Sequence, residues 1–159
     1  MMERFLIDSQ IMPEGELKAL LEHNRIEYIT DADGVRFILE DGLFKWETVC
    51  RYSQSAVLIY GLYPFKATAD EGTLRLLNRI NGELTRGSMI LSEGCVVMRT
   101  SADLYDIYGA YEAIARAIEY SAGAIVEFWQ AIRHTTELTH ISHGKKERRT
   151  LRTDIISRS

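Results

Sequence analysis

Cysteine is scarce in this sequence: Cys50 and Cys95 are the only two in 159 residues, they lie far apart, and no Cys-x-x-Cys pair occurs. That disfavours a disulfide framework and a zinc ribbon, and two reduced, buried thiols are expected. Long apolar runs are lacking too. The best candidate, residues 56 to 65, falls well short of the ~20 apolar residues that a membrane span needs and is interrupted by Tyr and Gly, so no membrane association is expected. The stretch from Met1 to Asp8 has no basic start followed by a sustained apolar segment, so no secretory signal is read there and a cytoplasmic location is the default expectation.

The signatures of catalysis are missing as well. No nucleophile sits beside a base, no glycine loop has phosphate-cradling spacing, and no Gly-x-Ser-x-Gly elbow occurs. The acidic pairs Asp31/Asp33 and Asp103/Asp106 stand where turns and helix caps need them. His140 and His143 have His-x-x-His spacing with His134 upstream, but Glu137 is their only close carboxylate, and a solvated pair is the expected reading. No catalytic residue, metal ligand or cofactor is therefore assigned, and the chain is expected not to be an enzyme.

What remains is ordinary globular material. Hydrophobic residues make up 46% and charged residues 26%, and a chain of this length buries roughly two thirds of the surface it exposes when unfolded. No internal repeat or linker appears, so residues 1–135 are read as one domain and residues 136–159 as a polar, basic, flexible tail. Residues 144–159 hold six Lys or Arg against Glu147 and Asp154, a balance of +4, which leaves the body at −8 of the whole chain's −4. An acidic body disfavours nucleic acid as the main ligand and suits basic or partly unfolded protein clients.

Local patterns predict the elements. Leu17, Leu20 and Leu21 give a helix over residues 13–24, with Asn24 as its stop. Strands over 26–30 and 35–40 flank a tight turn at Asp31 to Gly34. From Phe44 to Tyr52 the chain alternates apolar and polar, with Val49 the one apolar exception on the wet side. Residues 56–63 are apolar on both faces, as expected of a central strand covered on both sides, and Pro64 closes it. Thr68-Ala-Asp-Glu71 reads as a capping box for a helix striped with Leu74, Leu77, Ile80, Asn81 and Leu84, whose end is bracketed by Gly82 and Gly87. Two strands, 88–91 and 95–100, follow around Ser92-Glu-Gly94. A single long helix, capped by Asp103 or Asp106, is expected to run to about Arg133. The class is α+β: an antiparallel sheet of five to six strands with helices packed on it, in the order α-β-β-β-β-α-β-β-α.

With that order in hand, Leu76-Leu77-Asn78-Arg79-Ile80-Asn81 in the middle helix, followed by the strand pair Met89–Leu91 and Val96–Met98, resembles the YbjN family of bacterial proteins. That family's fold is similar to type III secretion chaperones, and the resemblance covers roughly residues 10–133. It implies a cytoplasmic bacterial homodimer linked to regulation or sensory transduction, with a fold that relatives use to hold unfolded secretion substrates.

Two sets of residues are candidates for binding. Phe44, Trp46, Tyr60, Leu62 and Tyr63 could offer an exposed sheet face or groove to a peptide segment of a protein partner. Asn78 and Asn81, beside the apolar stripe of the middle helix, could bond a ligand or fix that helix to a neighbouring strand. The last helix is hydrophobic over more than one stripe, so Tyr111, Ile114, Ile118, Ile125 and Trp129 are candidates for a homodimer interface. The leading expectation is a non-enzymatic, chaperone-like or regulatory adaptor that binds protein. The alternative is a sensory domain holding a small ligand between the sheet and the long helix.

Overall fold

The computed structural model describes residues 13–53, 55–105 and 109–143. Its elements run α1 (Pro13–His23), β1 (Tyr28–Asp31), β2 (Gly34–Asp41), β3 (Phe44–Tyr52), β4 (Ala56–Leu62), α2 (Glu71–Glu83), β5 (Ser88–Ser92), β6 (Cys95–Asp103), α3 (Ala110–Glu127) and α4 (Trp129–His143). The strands form one fully antiparallel sheet in the order β1-β2-β3-β4-β6-β5.

Side chains alternate across a strand, so register decides which ones share a face. One face carries Val35, Phe37, Trp46, Cys50, Val57 and Ile59, with Met98 and Met89 further along, and all four helices pack on it. Two clusters make up this core. At one end α1 brings Leu17, Leu20 and Leu21 against Ile114 and Ala117 of α3. At the other, Leu77 and Ile80 of α2 meet Ile125, Trp129 and Ile132. Gly61 in β4 lets α3 come close, because a Cβ there would stand 2.3 Å from the Ile125 Cδ1 atom. The interval between sheet and helix is thus filled by side chains.

The helix ends follow local chemistry, with one correction to the sequence reading. α1 stops in a Schellman motif, in which Ile26 N–H donates to Leu21 C=O (2.8 Å), Arg25 N–H donates to Glu22 C=O (3.1 Å), and Arg25 takes φ +59°. α2 is capped by Asp70 and not by Thr68: the Asp70 carboxylate accepts from Thr73 N–H at 2.8 Å, while the Thr68 hydroxyl donates to Asp70 at 3.1 Å. A carboxylate is the better acceptor at a helix start, where it also meets the positive end of the dipole. α2 ends at Glu83, between Gly82 and Gly87 as expected, and Gly87 (φ +67°) turns the chain into β5.

The expected single long helix is two helices. β6 extends to Asp103, α3 starts after an N-cap at Gly109 that makes no side-chain cap bond, and the run breaks at Phe128. Asp106 lies outside the described residues, as do residues 144–159. α4 runs past residue 135 to His143. No helix among the described residues is long and apolar enough to cross a membrane.

Candidate functional site

The other face of the sheet differs in kind. Its apolar cluster, Cys95 and Val97 with Tyr60, Leu62 and Ile90 against them, consists of strand residues alone, and among the described residues no helix packs over it. Strand register arranges this face in rows. One row runs Ile38, Glu47, Leu62, Val97, Ile90, and the next runs Ile29, Arg36, Val49, Tyr60, Arg99. Ile38 is 49% exposed and Ile29 67%. Leu58, Tyr60, Leu62 and Ile90 are half-buried by their strand neighbours, whereas Val49 and Val97 are buried at the centre.

Charge on this face is mixed, with Glu47 in the first row between Ile38 and Leu62 and with Arg36 and Arg99 in the second. Asp31 bonds Arg36, which holds the Asp31 carboxyl below the usual carboxylate range. Glu40 faces Lys45 at 3.6 Å. Arg51 lies over the Tyr60 ring, 5.6 Å from its centroid, and Arg99 is the direct cross-strand neighbour of Tyr60. Both arginines are exposed and neither has an ion pair among the described residues.

The expected binding residues are not gathered at one place. Tyr60 and Leu62 stand on the uncovered face, but Phe44, Trp46 and Tyr63 are on the helix side, around Trp129. Phe44 stacks on Trp129 with ring centroids 4.7 Å apart, and Tyr63 lies at 5.4 Å. The Tyr63 hydroxyl donates to Ile125 C=O at 2.7 Å, satisfying a carbonyl in the last turn of α3, and burial pushes its pKa up. Asn78 is exposed on α2. Asn81 bonds Met89 twice, its amide accepting from Met89 N–H at 2.7 Å and donating to Met89 C=O at 3.0 Å.

Of the residues proposed for a dimer contact, Ile114, Ile125 and Trp129 lie in the chain's own core, and Tyr111 and Ile118 keep some exposed surface. α3 turns Glu112, Arg116, Glu119 and Glu127 outward. Sequence reasoning missed Val49, Leu58, Ile38, Val97 and the two arginines. The signal available was Val49, the apolar residue out of phase in β3, together with the apolar side chains of β4 on both parities.

Elsewhere the chemistry is quiet. Burial pushes the Cys50 and Cys95 thiols up to about 12, which leaves them protonated and unreactive at neutral pH. A cleft of about 350 Å³ is lined by Glu14, Asp31, Asp33 and Tyr52 among others, and one of about 400 Å³ lies by Tyr120, Glu83 and Glu127. Tyr120 pins the α2–β5 loop. Burial alone would raise its phenol, but the Thr85 hydroxyl and the N–H groups of Arg86 and Thr85 outweigh that and lower it. No group of three or more His, Cys, Asp or Glu among the described residues is placed to hold a metal ion. The side chains of His140 and His143 lie outside the described set.

No protein-family model matches the sequence, and no curated protein matches it. Among solved structures, YbjN from E. coli, a candidate transcription regulator, superposes with a TM-score of 0.53 at 10% identity, over 72% of this chain and 90% of that one. The HopA1–SchA chaperone–effector complex gives a TM-score of 0.40 at 17% identity, over 66% of this chain and 86% of that one. At such identities the likeness is one of fold, and the chain has a YbjN-like α+β fold.

Proposed function

We propose that this chain is a non-enzymatic protein-binding module, a chaperone-like or regulatory adaptor that acts as a homodimer and receives a segment of another protein on the sheet face that no described helix covers. The observation that carries this reading is the apolar patch of Tyr60, Leu62 and Ile90 around Cys95 and Val97, lying on a sheet face with no helix over it among the described residues. Contiguous exposed apolar surface on a folded chain marks an interaction site more often than chance packing does. Fully covering one Leu or Ile is worth about 1.5–3 kcal/mol, so closing several half-exposed ones supplies useful binding free energy.

The homodimer is the finer part of the proposal, and Tyr111 and Ile118 are the residues of α3 with surface to give to it. Light scattering on the purified chain at micromolar concentration is expected to return twice the mass of the chain; a strictly monomeric mass contradicts that part alone. For the binding face, Leu62→Glu introduces a charge into the apolar patch without entering the helix-side core. Affinity capture from native extract is expected to lose its reproducible partner with this variant. Retention of the same partner by Leu62→Glu removes the sheet face from the account.

A further inference from the structure

The homodimer proposed above can be given a place in the fold. Resting on that reading, we infer that two copies join edge to edge through β1, antiparallel about a two-fold axis at Ile29, so that their sheets continue as one.

The strand edges carry the inference. In the β2–β3 hairpin, Gly42 (φ +63°) makes a two-residue turn whose closing pair, Asp41 and Phe44, is hydrogen-bonded. Pairs alternate along an antiparallel ladder, so Val35 and Phe37 turn their main-chain groups to β3, while Gly34 and Arg36 turn theirs to β1. Ile29 and Asp31 answer them across the β1–β2 ladder. Tyr28 and Thr30 therefore direct their N–H and C=O groups out of the sheet, where no strand lies among the described residues and no other partner meets them.

The opposite edge is closed at its middle. Glu93 (φ +49°) and Gly94 (φ +85°) form the β5–β6 turn, which by the same alternation points the main chain of Met89 and Leu91 outward. The Asn81 amide takes both groups of Met89, so it stands where a next strand would. β1 has no such cover, and it lacks the Lys, Pro or bulge with which edge strands commonly resist pairing. Its Tyr28, Ile29 and Thr30 are residue types that favour strands.

The occupant is a second copy because the edge complements itself. Outward groups must meet outward groups, which sets Tyr28 opposite the second copy's Thr30 and Thr30 opposite its Tyr28, each pair exchanging both N–H and C=O bonds. Ile29 then faces Ile29 of the second copy in a non-hydrogen-bonded pair, the kind whose Cα atoms stand about 4.5 Å apart and whose side chains touch. Ile29 is 67% exposed in the single chain, and this contact covers it. Glu27 comes opposite the second copy's Asp31, whose charge Arg36 already meets. Beyond them the axis directs the exposed Arg25 of each copy toward the exposed Asp33 of the other, and neither has an ion pair within its own chain among the described residues. A contact of this symmetry closes at two copies.

Light scattering on the full chain at micromolar concentration is expected to give twice the chain mass in the parent and the single mass in Thr30→Pro. That substitution removes only an outward N–H, so β1 keeps its ladder to β2 and the circular dichroism spectrum should match the parent's. The variant Tyr111→Glu/Ile118→Glu is expected to stay dimeric. A dimer that survives in folded Thr30→Pro, or is lost in the α3 variant, overturns the β1 contact and leaves the homodimer standing; a monomeric parent overturns both. Disulfide trapping gives a second reading that does not depend on the proline variant. Ile29→Cys under mild oxidation is expected to form a covalent dimer at least about tenfold faster than Leu43→Cys, because the edge contact holds two copies of residue 29 within bonding range. Leu43 is 100% exposed at the β2–β3 turn, and Cys50 and Cys95 are buried, so neither exposure nor a native thiol accounts for such a difference. Equal rates overturn the inference. So does a monomeric parent whose capture of a different protein is abolished by Thr30→Pro, since the edge then takes a foreign strand.

Discussion

At residue scale, several side chains do one identifiable task. Arg25 holds a left-handed conformation that glycine adopts without penalty, so Arg25→Gly is expected to raise stability by about 1 kcal/mol, read as a shift in the urea midpoint. Tyr63→Phe removes the buried bond to Ile125 C=O and is expected to lower stability by about 1–2 kcal/mol. Asp31 shows how a surface pair sets pH dependence. Its carboxyl is held below the usual range chiefly by the bond from Arg36, so this stabilisation is present above the unfolded-state value and is lost as pH falls through the lower, folded-state value. Urea titrations from neutral pH to below about pH 4 should show a shallower acid loss in Arg36→Met than in the parent chain. The turn at Asp31 to Gly34 was legible, because Asp31 also accepts from Asp33 N–H at 2.8 Å, the bond that makes Asp a turn former. The cap at Asp70 was misread by two positions, since Thr68 and Asp70 are both good cap residues and only the first turn decides between them.

At element scale, the helices and strands could be read from their periodicity, but the break at Phe128 could not. Glu127-Phe-Trp-Gln130 contains neither Pro nor Gly, the usual local causes of an interruption. What distinguishes the place is tertiary: Trp129 sits among Phe44, Trp46, Tyr63 and Phe65, at centroid distances of 4.7 to 6.2 Å. A straight continuation of α3 keeps one periodic stripe, and hydrophobic spacing from Ile107 to Ile132 conceals the change of axis. Trp129→Ala is expected to cost about 3–5 kcal/mol, whereas Leu138→Ala, at a residue 53% exposed, should stay within about 0.5 kcal/mol. Gly61 marks the closest approach of α3 to the sheet, and Gly61→Val is expected to cost about 1–3 kcal/mol through forced displacement of Ile125.

At the scale of the whole molecule, the described residues form a six-stranded sheet with all of their helices on one face. β4 was expected to be a central strand, apolar on both parities, and it is central in the sheet: Ile59 lies under the helices, while among the described residues Leu58, Tyr60 and Leu62 meet strand neighbours only. Sequence alone cannot separate a strand buried by its own chain from one that awaits a partner, because both need apolar side chains on both faces. For the same reason Phe44, Trp46, Tyr60 and Tyr63 looked equivalent until register divided them. The central claim is that the uncovered face is the docking surface. A methyl-resolved NMR titration with the partner recovered by affinity capture tests it most directly. The account predicts shifts in the methyl signals of Ile38, Leu62, Ile90 and Val97, with Ile114 and Ile125 unmoved; shifts confined to the helix side, or to Tyr111 and Ile118 of α3, would contradict it.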